Sequence, residues 1–294
     1  MNPAKTPLFL PESSEQALLR VLWYFHYFQH ALNFEEVHKY LGIRMSGLQL
    51  EVLLRGLVAQ GQIVEREGFY ALEKGDLDHR IGHRALNLQW LATAEKYSRF
   101  IERFPFVRSV FISGSLSKMG IDQGAHDIDY FLVVAPGRVW TAKFFLMAFK
   151  KVFLFNSHKH FCINLLRDET HLKFDKENIY IATEIASLLP MGQNGHREAM
   201  IENNSWVFHF FPNWTPHRDS GPIPRRKNAF EPVLDFFLGN RFEEGCRRLF
   251  EGYIKKRRSH RLAYFETLPH SSAFFPESFE SRVLENYRSK FNES

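Results

Sequence analysis

Residues 111–134 read Phe111-Ile-Ser-Gly-Ser-Leu-Ser-Lys-Met-Gly-Ile-Asp-Gln-Gly-Ala-His-Asp-Ile-Asp-Tyr-Phe-Leu-Val-Val134. The stretch opens on apolar, strand-forming residues, which are followed by the pair Gly114 and Ser115. Eleven residues, rich in glycine and polar types, separate Ser115 from Asp127. Asp127 and Asp129 then alternate with apolar residues before a second apolar run. This pattern predicts a strand, a tight turn, an irregular loop and a second strand that carries two carboxylates.

The two carboxylates have the spacing of neighbours on one face of a strand. Side chains at positions i and i+2 point to the same side, so Asp127 and Asp129 are expected to lie together. Adjacent carboxylates repel each other unless a cation lies between them, and oxygen ligands suit Mg²⁺ or Mn²⁺ in sites shared with substrate phosphates. Gly114 allows a close approach of the backbone, and the Ser115 hydroxyl can hold phosphate oxygens. The stretch therefore favours metal-assisted phosphoryl or nucleotidyl transfer; a β-hairpin whose turn contains two aspartates is the alternative.

A Gly-Ser pair, a loop of this length and an Asp-hydrophobic-Asp strand resemble the signature of the DNA polymerase beta-like nucleotidyltransferase superfamily. The resemblance implies that Asp127 and Asp129 are catalytic residues that bind one or two Mg²⁺ (or Mn²⁺) ions. It implies that the phosphates of a nucleoside triphosphate are held by residues of the turn, namely Gly114, Ser115, Ser117 and Lys118. An acceptor hydroxyl would attack the α-phosphorus, with pyrophosphate leaving. The sequence leaves the acceptor open among a small molecule, a protein and an RNA end.

Members of this superfamily usually carry a third carboxylate on a following strand, where it acts as the general base. The corresponding strand is predicted at residues 161–166, and its polar residue on the relevant face is Asn164. Asparagine accepts hydrogen bonds but takes up no proton. Asp168 and Glu169, just beyond the strand, are possible substitutes. The chain is therefore predicted to be a nucleotidyltransferase with Asn164 at the third catalytic position or, alternatively, a catalytically silent nucleotide-binding or regulatory protein of the same fold.

The composition indicates a globular protein without a membrane span. Hydrophobic residues make up 45% and charged residues 24% of the 294 residues. The chain has no apolar run of the roughly 18 residues that a membrane helix needs, and its start lacks the features of a signal peptide. Two isolated cysteines, Cys162 and Cys246, fit a reducing compartment rather than a disulfide framework or a zinc site. We therefore expect a cytoplasmic protein with no membrane partner.

The N-terminal residues are predicted to form a winged-helix-like domain. Three helix starts are marked by capping boxes, at Ser13…Gln16, Asn33…Glu36 and Ser46…Gln49. A hairpin pattern follows them, and three helices followed by a hairpin resemble a winged-helix domain. Residues 1–74 contain seven Lys+Arg and eight Asp+Glu, a net charge of −1, and the third helix offers Arg55 opposed by Glu51. Because DNA affinity depends largely on phosphate neutralisation, DNA is an unlikely partner, and a packing or protein-interaction module is favoured.

The predicted fold class is α+β. A nucleotidyltransferase-type mixed sheet with flanking helices, at residues 76–190, follows the winged-helix-like domain at residues 1–75 and precedes a helical C-terminal region at residues 191–294. Periodicity and helix-stop residues predict long helices in these regions, at residues 78–104, 138–155, 178–188, 196–211 and 230–264.

Two groups of charged residues on these predicted helices have alternative interpretations. Arg80, His83 and Arg84 lie near the start of a helix and could reach a phosphate, although such residues more often simply solvate a helix. Glu184 lies in an otherwise apolar helix, where it is either exposed or directed at the site.

Overall fold

The computed structural model describes residues 13–124, 127–155, 159–191, 196–216, 230–257, 263–276 and 279–291. Within these residues the chain forms an α+β fold with a three-stranded sheet and a six-stranded mixed sheet that is flanked by helices. The α+β class and the mixed sheet with flanking helices are therefore confirmed. None of the helices in this part of the chain has the length and apolar character needed to cross a bilayer.

The described N-terminal residues form helices around the smaller sheet. In chain order the elements are α1 (Ser14–His26), β1 (Leu32–Asn33), α2 (Phe34–Tyr40), α3 (Gly47–Ala59), β2 (Val64–Arg66) and β3 (Phe69–Ala71). The strands are antiparallel in the order β1-β3-β2. Ser13, Asn33 and Ser46 each accept a hydrogen bond from the backbone N–H three residues on, as N-caps do, and the reciprocal box forms at Asn33 and Ser46.

The larger sheet contains strands from the middle and the end of the chain. Its strands are β4 (Val107–Ile112), β5 (Asp129–Val134), β6 (Cys162–Asp168), β7 (Leu189–Met191), β8 (Ala263–Leu268) and β9 (Ser271–Pro276). They lie in the order β7-β4-β5-β6-β9-β8. The β5–β6 pair is parallel, and the other neighbouring pairs are antiparallel.

Helices cover both faces of this sheet. The remaining helices of the described residues are α4 (Lys74–Gly82), α5 (Arg84–Ile101), α6 (Gly114–Ser117), α7 (Val139–Phe153), α8 (Ile179–Ser187), α9 (Arg197–Asn203), α10 (Val207–Phe210), α11 (Glu231–Arg257) and α12 (Phe279–Lys290). Of these, α4 packs against the small sheet, and α10 and α12 contribute to the core of the N-terminal helices. Tyr130 and Leu132 of β5 pack in one core with residues of α5, α7 and α11. Phe131 and Val133 point to the opposite face and pack with residues that include Met200 of α9. The near-continuous apolar strand is explained by this two-sided burial.

Two predicted helices are interrupted in the structure. The helix expected at residues 78–104 ends at Gly82 and restarts at Arg84, because His83 is not helical (φ −99°, ψ 6°). The helix expected at residues 196–211 is divided into α9 and α10. Between them the buried amide of Asn204 donates to the Leu172 carbonyl at 2.9 Å. That long-range contact is absent from any local pattern, which explains the error.

The C-terminal region is not wholly helical, so this part of the predicted fold class was wrong. The helix expected at residues 230–264 ends at Arg257 and is broken at Gly239, where φ is 54°. After it, β8 and β9 form a hairpin that joins the large sheet, with Ala273 opposite Leu165 of β6. The hairpin covers an edge of β6 whose backbone groups would otherwise lack a strand partner.

The N-terminal helices share a hydrophobic core with later parts of the chain. Leu22 of α1 and Leu54 of α3 belong to the same buried cluster as Ile185 of α8, Trp206 and Phe211. Elements from the three predicted regions therefore depend on one another for burial of their apolar side chains.

Candidate functional site

The glycine-serine turn and the aspartate strand meet at one end of the large sheet. β4 and β5 are antiparallel neighbours with Ile112 opposite Tyr130. The backbone N–H of Ser113 donates to the Asp129 carbonyl at 2.9 Å. The short helix α6 begins at the next residue, Gly114. The structure therefore brings the turn directly beside Asp129.

Position 114 requires glycine, both because of its backbone conformation and because Asp129 lies against it. Its φ is 65°, a region that residues with a Cβ rarely adopt. A Cβ placed on Gly114 would also collide with a carboxylate oxygen of Asp129. The close contact between turn and carboxylate thus requires the smallest residue.

Asp127, Asp129 and Cys162 form a polar cluster where β5 and β6 begin. Cys162 is opposite Asp129 in the parallel pair, and its thiol lies close enough to both carboxylates for each to raise its pKa. Burial and the neighbouring Asp127 charge raise the pKa of Asp129 to about 7. Burial and the two carboxylates raise the pKa of the Cys162 thiol well above its usual value, so the thiol is neutral at physiological pH.

Asn164, predicted at the third catalytic position, lies at an irregularity in β6. Tyr130 pairs with Ile163 and Phe131 pairs with Leu165, so Asn164 is the extra residue of β6 at this point. The residue of β6 directly opposite Asp129 is Cys162, two positions earlier. The register shift could not be inferred from the alternation of residues in the strand.

Asp168 and Glu169, the possible substitutes, lie at the far end of β6. Asp168 is opposite Val134, five residues along β5 from Asp129, which corresponds to about 16 Å of strand. The Asp168 carboxylate accepts hydrogen bonds from the Thr170 N–H at 3.0 Å and the Thr170 hydroxyl at 2.7 Å. Neither acid can therefore replace a third carboxylate beside Asp127 and Asp129.

Glu169 instead belongs to a partly buried chain of hydrogen bonds. One ring nitrogen of His196 lies 2.9 Å from the Glu169 carboxylate, and the other lies 2.7 Å from the Ser109 hydroxyl. The order serine, histidine, carboxylate is that of a nucleophile triad. Ser109, however, is 0% exposed within β4, so no substrate can reach its hydroxyl. The chain of bonds joins the start of α9 to β4 and to the end of β6.

The polar side chains of the turn face in different directions. Ser115 is exposed. Ser117 is buried and donates to the Gly114 carbonyl at 2.8 Å, so it supports the turn from inside. The Lys118 ammonium group donates to the same carbonyl at 3.1 Å and lies 2.8 Å from the Glu184 carboxylate. Of the two interpretations of Glu184, the structure shows the one directed at the site, and its charge also raises the pKa of Asp129.

A buried arginine fixes the backbone that follows the turn. The Arg80 guanidinium donates to the carbonyls of Lys118 at 2.6 Å and Met119 at 2.9 Å. It also donates to the Glu36 carboxylate of α2 at 2.9 Å, and the other oxygen of Glu36 accepts from the Asn33 N–H. Met119 has a φ of 58°, and the bonds to its peptide support this unusual conformation. Arg80 therefore neither solvates its helix nor is free to bind phosphate.

A second side chain from the same region holds the loop just beyond this point. The amide of Asn87 donates to the Ile121 carbonyl at 2.8 Å and accepts from the Ile121 N–H at 2.9 Å. Sequence reasoning missed Asn87, and it also missed the contact of Glu36 with Arg80 and the position of Cys162 beside Asp129. The available signal for Asn87 was a polar residue within the apolar stripe of a helix.

Asp127 and Asp129 are the candidate metal ligands. Within the part of the chain that the structure describes, no three His, Cys, Asp or Glu side chains are arranged to hold a metal ion on their own. Mg²⁺ is commonly held by one or two carboxylates and completes its coordination with water and phosphate oxygens. Two adjacent carboxylates, one with a pKa raised by burial and by the other's charge, therefore have the chemistry expected of a cation site that is shared with a phosphorylated ligand.

No protein-family model, no curated protein and no solved structure matches this chain. The functional assignment therefore depends on the distances, burial and charges of the site itself.

We expect Gly114→Ala to destabilise the protein more than Gly137→Ala does. Both glycines have a positive φ, 65° and 64°, so both substitutions carry the same backbone strain. An added Cβ meets Asp129 at Gly114 but has no atom within 4 Å at Gly137. The difference in the free energy of unfolding, measured with urea, should be about 1 to 3 kcal/mol. Equal losses would contradict the contact between the turn and Asp129.

We expect Asp129→Asn to stabilise the metal-free protein at high pH. The folded-state pKa of about 7 lies above the ordinary value of 3.8, so folding favours the protonated acid. Its contribution to stability is fully present below pH 3.8 and is lost as the pH rises through 7. In the presence of EDTA, the variant should melt higher than the wild type by on the order of 2 °C at pH 8 and by less at pH 5. A pH-independent difference would show that Asp129 has no raised pKa.

We expect Glu36→Gln to loosen the backbone after the turn although Glu36 lies on α2. The substitution leaves the buried Arg80 guanidinium without its countercharge. Amide hydrogen exchange at residues 118–121 should accelerate by about tenfold, which corresponds to roughly 1.4 kcal/mol. Glu35→Gln is the matched control, because Glu35 lies in the same helical turn and is exposed. Equal amide exchange rates at residues 118–121 in the two variants would show that the Glu36–Arg80 pair does not hold this backbone.

Proposed function

We propose that this chain binds a nucleoside triphosphate with Mg²⁺ (or Mn²⁺) and transfers the nucleoside monophosphate to an acceptor hydroxyl. The observation that carries the proposal is the contact of the Gly114 turn with the Asp129 carboxylate. This contact places the Gly114 backbone, which can approach phosphate, at the same end of the large sheet as Lys118 and the paired carboxylates. The resemblance to the nucleotidyltransferase superfamily implies the same roles for these residues.

The turn supplies the groups that would hold the phosphates. The exposed Ser115 hydroxyl can donate to a phosphate oxygen, and the Lys118 ammonium carries the positive charge. Glu184 holds that ammonium at 2.8 Å. A triphosphate would compete with Glu184 for Lys118, and Ser117 and Arg80 would keep the turn in shape during this exchange.

The paired carboxylates would hold the metal. Asp127 and Asp129 lie together at the start of β5, and burial together with the Asp127 charge raises the pKa of Asp129. A bound divalent cation would neutralise charge on the phosphates and polarise the α-phosphate toward attack. Asp129 must lose its proton to bind it, so metal affinity should rise as the pH passes 7.

One observation favours the second candidate, a nucleotide-binding or regulatory protein without catalysis. A transferase needs a base for the proton of the acceptor hydroxyl. The residue of β6 opposite Asp129 is Cys162, whose raised pKa keeps its thiol neutral. Asp168 and Glu169 are held at the other end of the strand by other partners. Glu184 is close enough to raise the pKa of Asp129, but its carboxylate is already paired with Lys118.

For the N-terminal helices and small sheet we propose a winged-helix-like module that contacts protein rather than DNA. The outward side of α3 exposes Leu48 and Val52. The nearby Arg55 is paired with Glu51 at 2.5 Å, so its charge is partly neutralised. An apolar surface with a paired arginine is poorly suited to phosphate neutralisation.

The proposal predicts metal-dependent nucleotide binding that requires both aspartates. Each nucleoside triphosphate is tested with Mg²⁺, with Mn²⁺ and with EDTA by thermal shift, and the best is measured by calorimetry. The wild type should melt higher only with metal and the matching nucleotide, and Asp127→Asn/Asp129→Asn should lose at least about tenfold in affinity. Asp78→Asn is the control, since Asp78 is largely exposed and forms a surface ion pair with Arg66.

A second assay separates the two candidate functions. Nucleoside triphosphate labelled at the α-phosphate is offered with pools of small hydroxyl compounds, proteins and RNA. Transfer of label that the double variant lacks establishes the transferase, whereas tight binding with neither transfer nor pyrophosphate release establishes the silent protein. Unchanged binding by the double variant would show that the site is assigned to the wrong residues.

A further inference from the structure

The C-terminal end of α7 carries apolar side chains into solvent. Val152 and Phe153 are 64% and 66% exposed, and Phe155, just after the helix, is 92% exposed. Single exposed apolar residues are common on protein surfaces, but a cluster of large ones is typical of an interaction site. We call these three residues the α7 tip.

The aromatic core and the local backbone position the α7 tip. The Phe153 ring stacks on Phe149 with centroids 4.9 Å apart, and Phe149 packs against Phe100 of α5 at 4.7 Å. Phe155 has a φ of 48°, a conformation that is rare for a bulky residue. One ring of the tip is thus anchored by the core, and the other is exposed at an unusual backbone conformation.

The charge around the α7 tip is positive. Residues 130–167 contain six Lys+Arg and no Asp or Glu. Lys151, at the start of the tip, and Lys159, at the entry to β6, are both exposed. Asp127 comes near this end of α7, where its charge acts on the buried Lys150. The exposed apolar side chains are therefore accompanied by exposed positive charge.

A second exposed aromatic cluster, at the start of α11, has different surroundings. Phe236 and Phe237 are 84% and 77% exposed, and their ring centroids lie 5.4 Å apart. Glu231 and Asp235 precede them in the same helix, and each is paired with an arginine. These paired charges cancel, so the α11 cluster matches the α7 tip in exposure and ring type but not in charge.

From this combination we infer that the α7 tip docks on the surface of an anionic lipid bilayer, with Phe153 and Phe155 among the acyl chains and Lys151 at the headgroups. Buried apolar area and attraction between lysine and anionic lipid add together in such contacts. Lys159 lies over the Trp90 ring at 5.7 Å, and lysine and tryptophan both favour the headgroup region.

This contact is peripheral and separate from the proposed function. The composition predicted no membrane partner, and none of the helices in the described residues can span a bilayer. Docking of one exposed helix end requires no span. It also requires neither a metal nor a nucleotide, so it is independent of the function proposed above.

Two other partners fit the α7 tip less well. Nucleic-acid affinity depends on neutralising many phosphates, whereas Lys151 and Lys159 supply two charges, and the aliphatic Val152 offers no ring on which a base can stack. A second copy of this chain, bound tip to tip about a two-fold axis, would bring the Lys151 charges of both copies together. An anionic bilayer accepts both the apolar side chains and the positive charge.

The test measures binding of the full chain to lipid vesicles in the presence of EDTA. Vesicles of phosphatidylcholine alone, or of equimolar phosphatidylcholine and phosphatidylserine, are pelleted with the bound protein. The wild type should bind the anionic vesicles at least about tenfold more tightly, since each lysine near the surface contributes about fivefold, and added salt should weaken this binding. Phe153→Ser/Phe155→Ser should lose at least about tenfold in affinity for the anionic vesicles.

A charge variant and a matched control complete the test. Lys151→Gln/Lys159→Gln should bind both kinds of vesicle alike. These side chains are exposed, so this variant decides the question if a circular dichroism melting curve shows that Phe153→Ser/Phe155→Ser fails to fold. Phe236→Ser/Phe237→Ser, which removes two equally exposed rings from α11, should bind as the wild type does.

Three results would overturn the inference. The first is no binding to anionic vesicles, or equal wild-type binding to both kinds. The second is a loss in Phe236→Ser/Phe237→Ser as large as that in Phe153→Ser/Phe155→Ser. The third is tight binding of single-stranded RNA, or a dimer that Phe153→Ser/Phe155→Ser abolishes, without vesicle binding, which would assign the α7 tip to that other partner.

Discussion

The approach of the Gly114 backbone to the Asp129 carboxylate is the constraint on which the candidate site depends. It requires a residue without a Cβ in a left-handed conformation. It also requires β4 and β5 to be paired so that Ser113 bonds to Asp129 through the backbone. Once both conditions hold, Lys118 and the paired carboxylates are brought to the same end of the sheet. Unlike a salt bridge, such a steric fit cannot be shifted without moving a strand.

The turn is held in this position by residues that are distant in sequence. Glu36 caps α2 with one oxygen and binds Arg80 with the other, and Arg80 in turn holds two carbonyls of the turn. The N-terminal helices also share their core with α8, which carries Glu184. The N-terminal part is therefore built into the site through both hydrogen bonds and apolar packing, and a partner bound to it would act on elements that touch Lys118.

Features set by local chemistry could be predicted from the sequence, and those set by long-range contacts could not. The caps at Asn33 and Ser46 involve residues three apart, and the near-continuous apolar run after Asp129 reflects one strand with two buried faces. The extra residue of β6 at Asn164 depends on how β6 pairs with β5. The β8–β9 hairpin likewise depends on an open edge of β6. Buried polar residues such as Arg80 find partners that only the folded chain provides.

The charge balance of the site links the proposed metal, the Asp129 proton and Lys118. Asp129 and Glu184 lie near the Lys118 ammonium group, and Asp127 interacts with Asp129 and with the Lys150 charge. Burial and the neighbouring acid charges raise the pKa of Asp129 to about 7. A divalent cation would displace that proton, because both need the same oxygens. A triphosphate would add negative charge and draw Lys118 from Glu184. The cation would offset the negative charge that the triphosphate adds beside the carboxylates, and the triphosphate would offset the positive charge that the cation adds beside Lys118. The two ligands should therefore bind cooperatively, and each should bind more weakly alone.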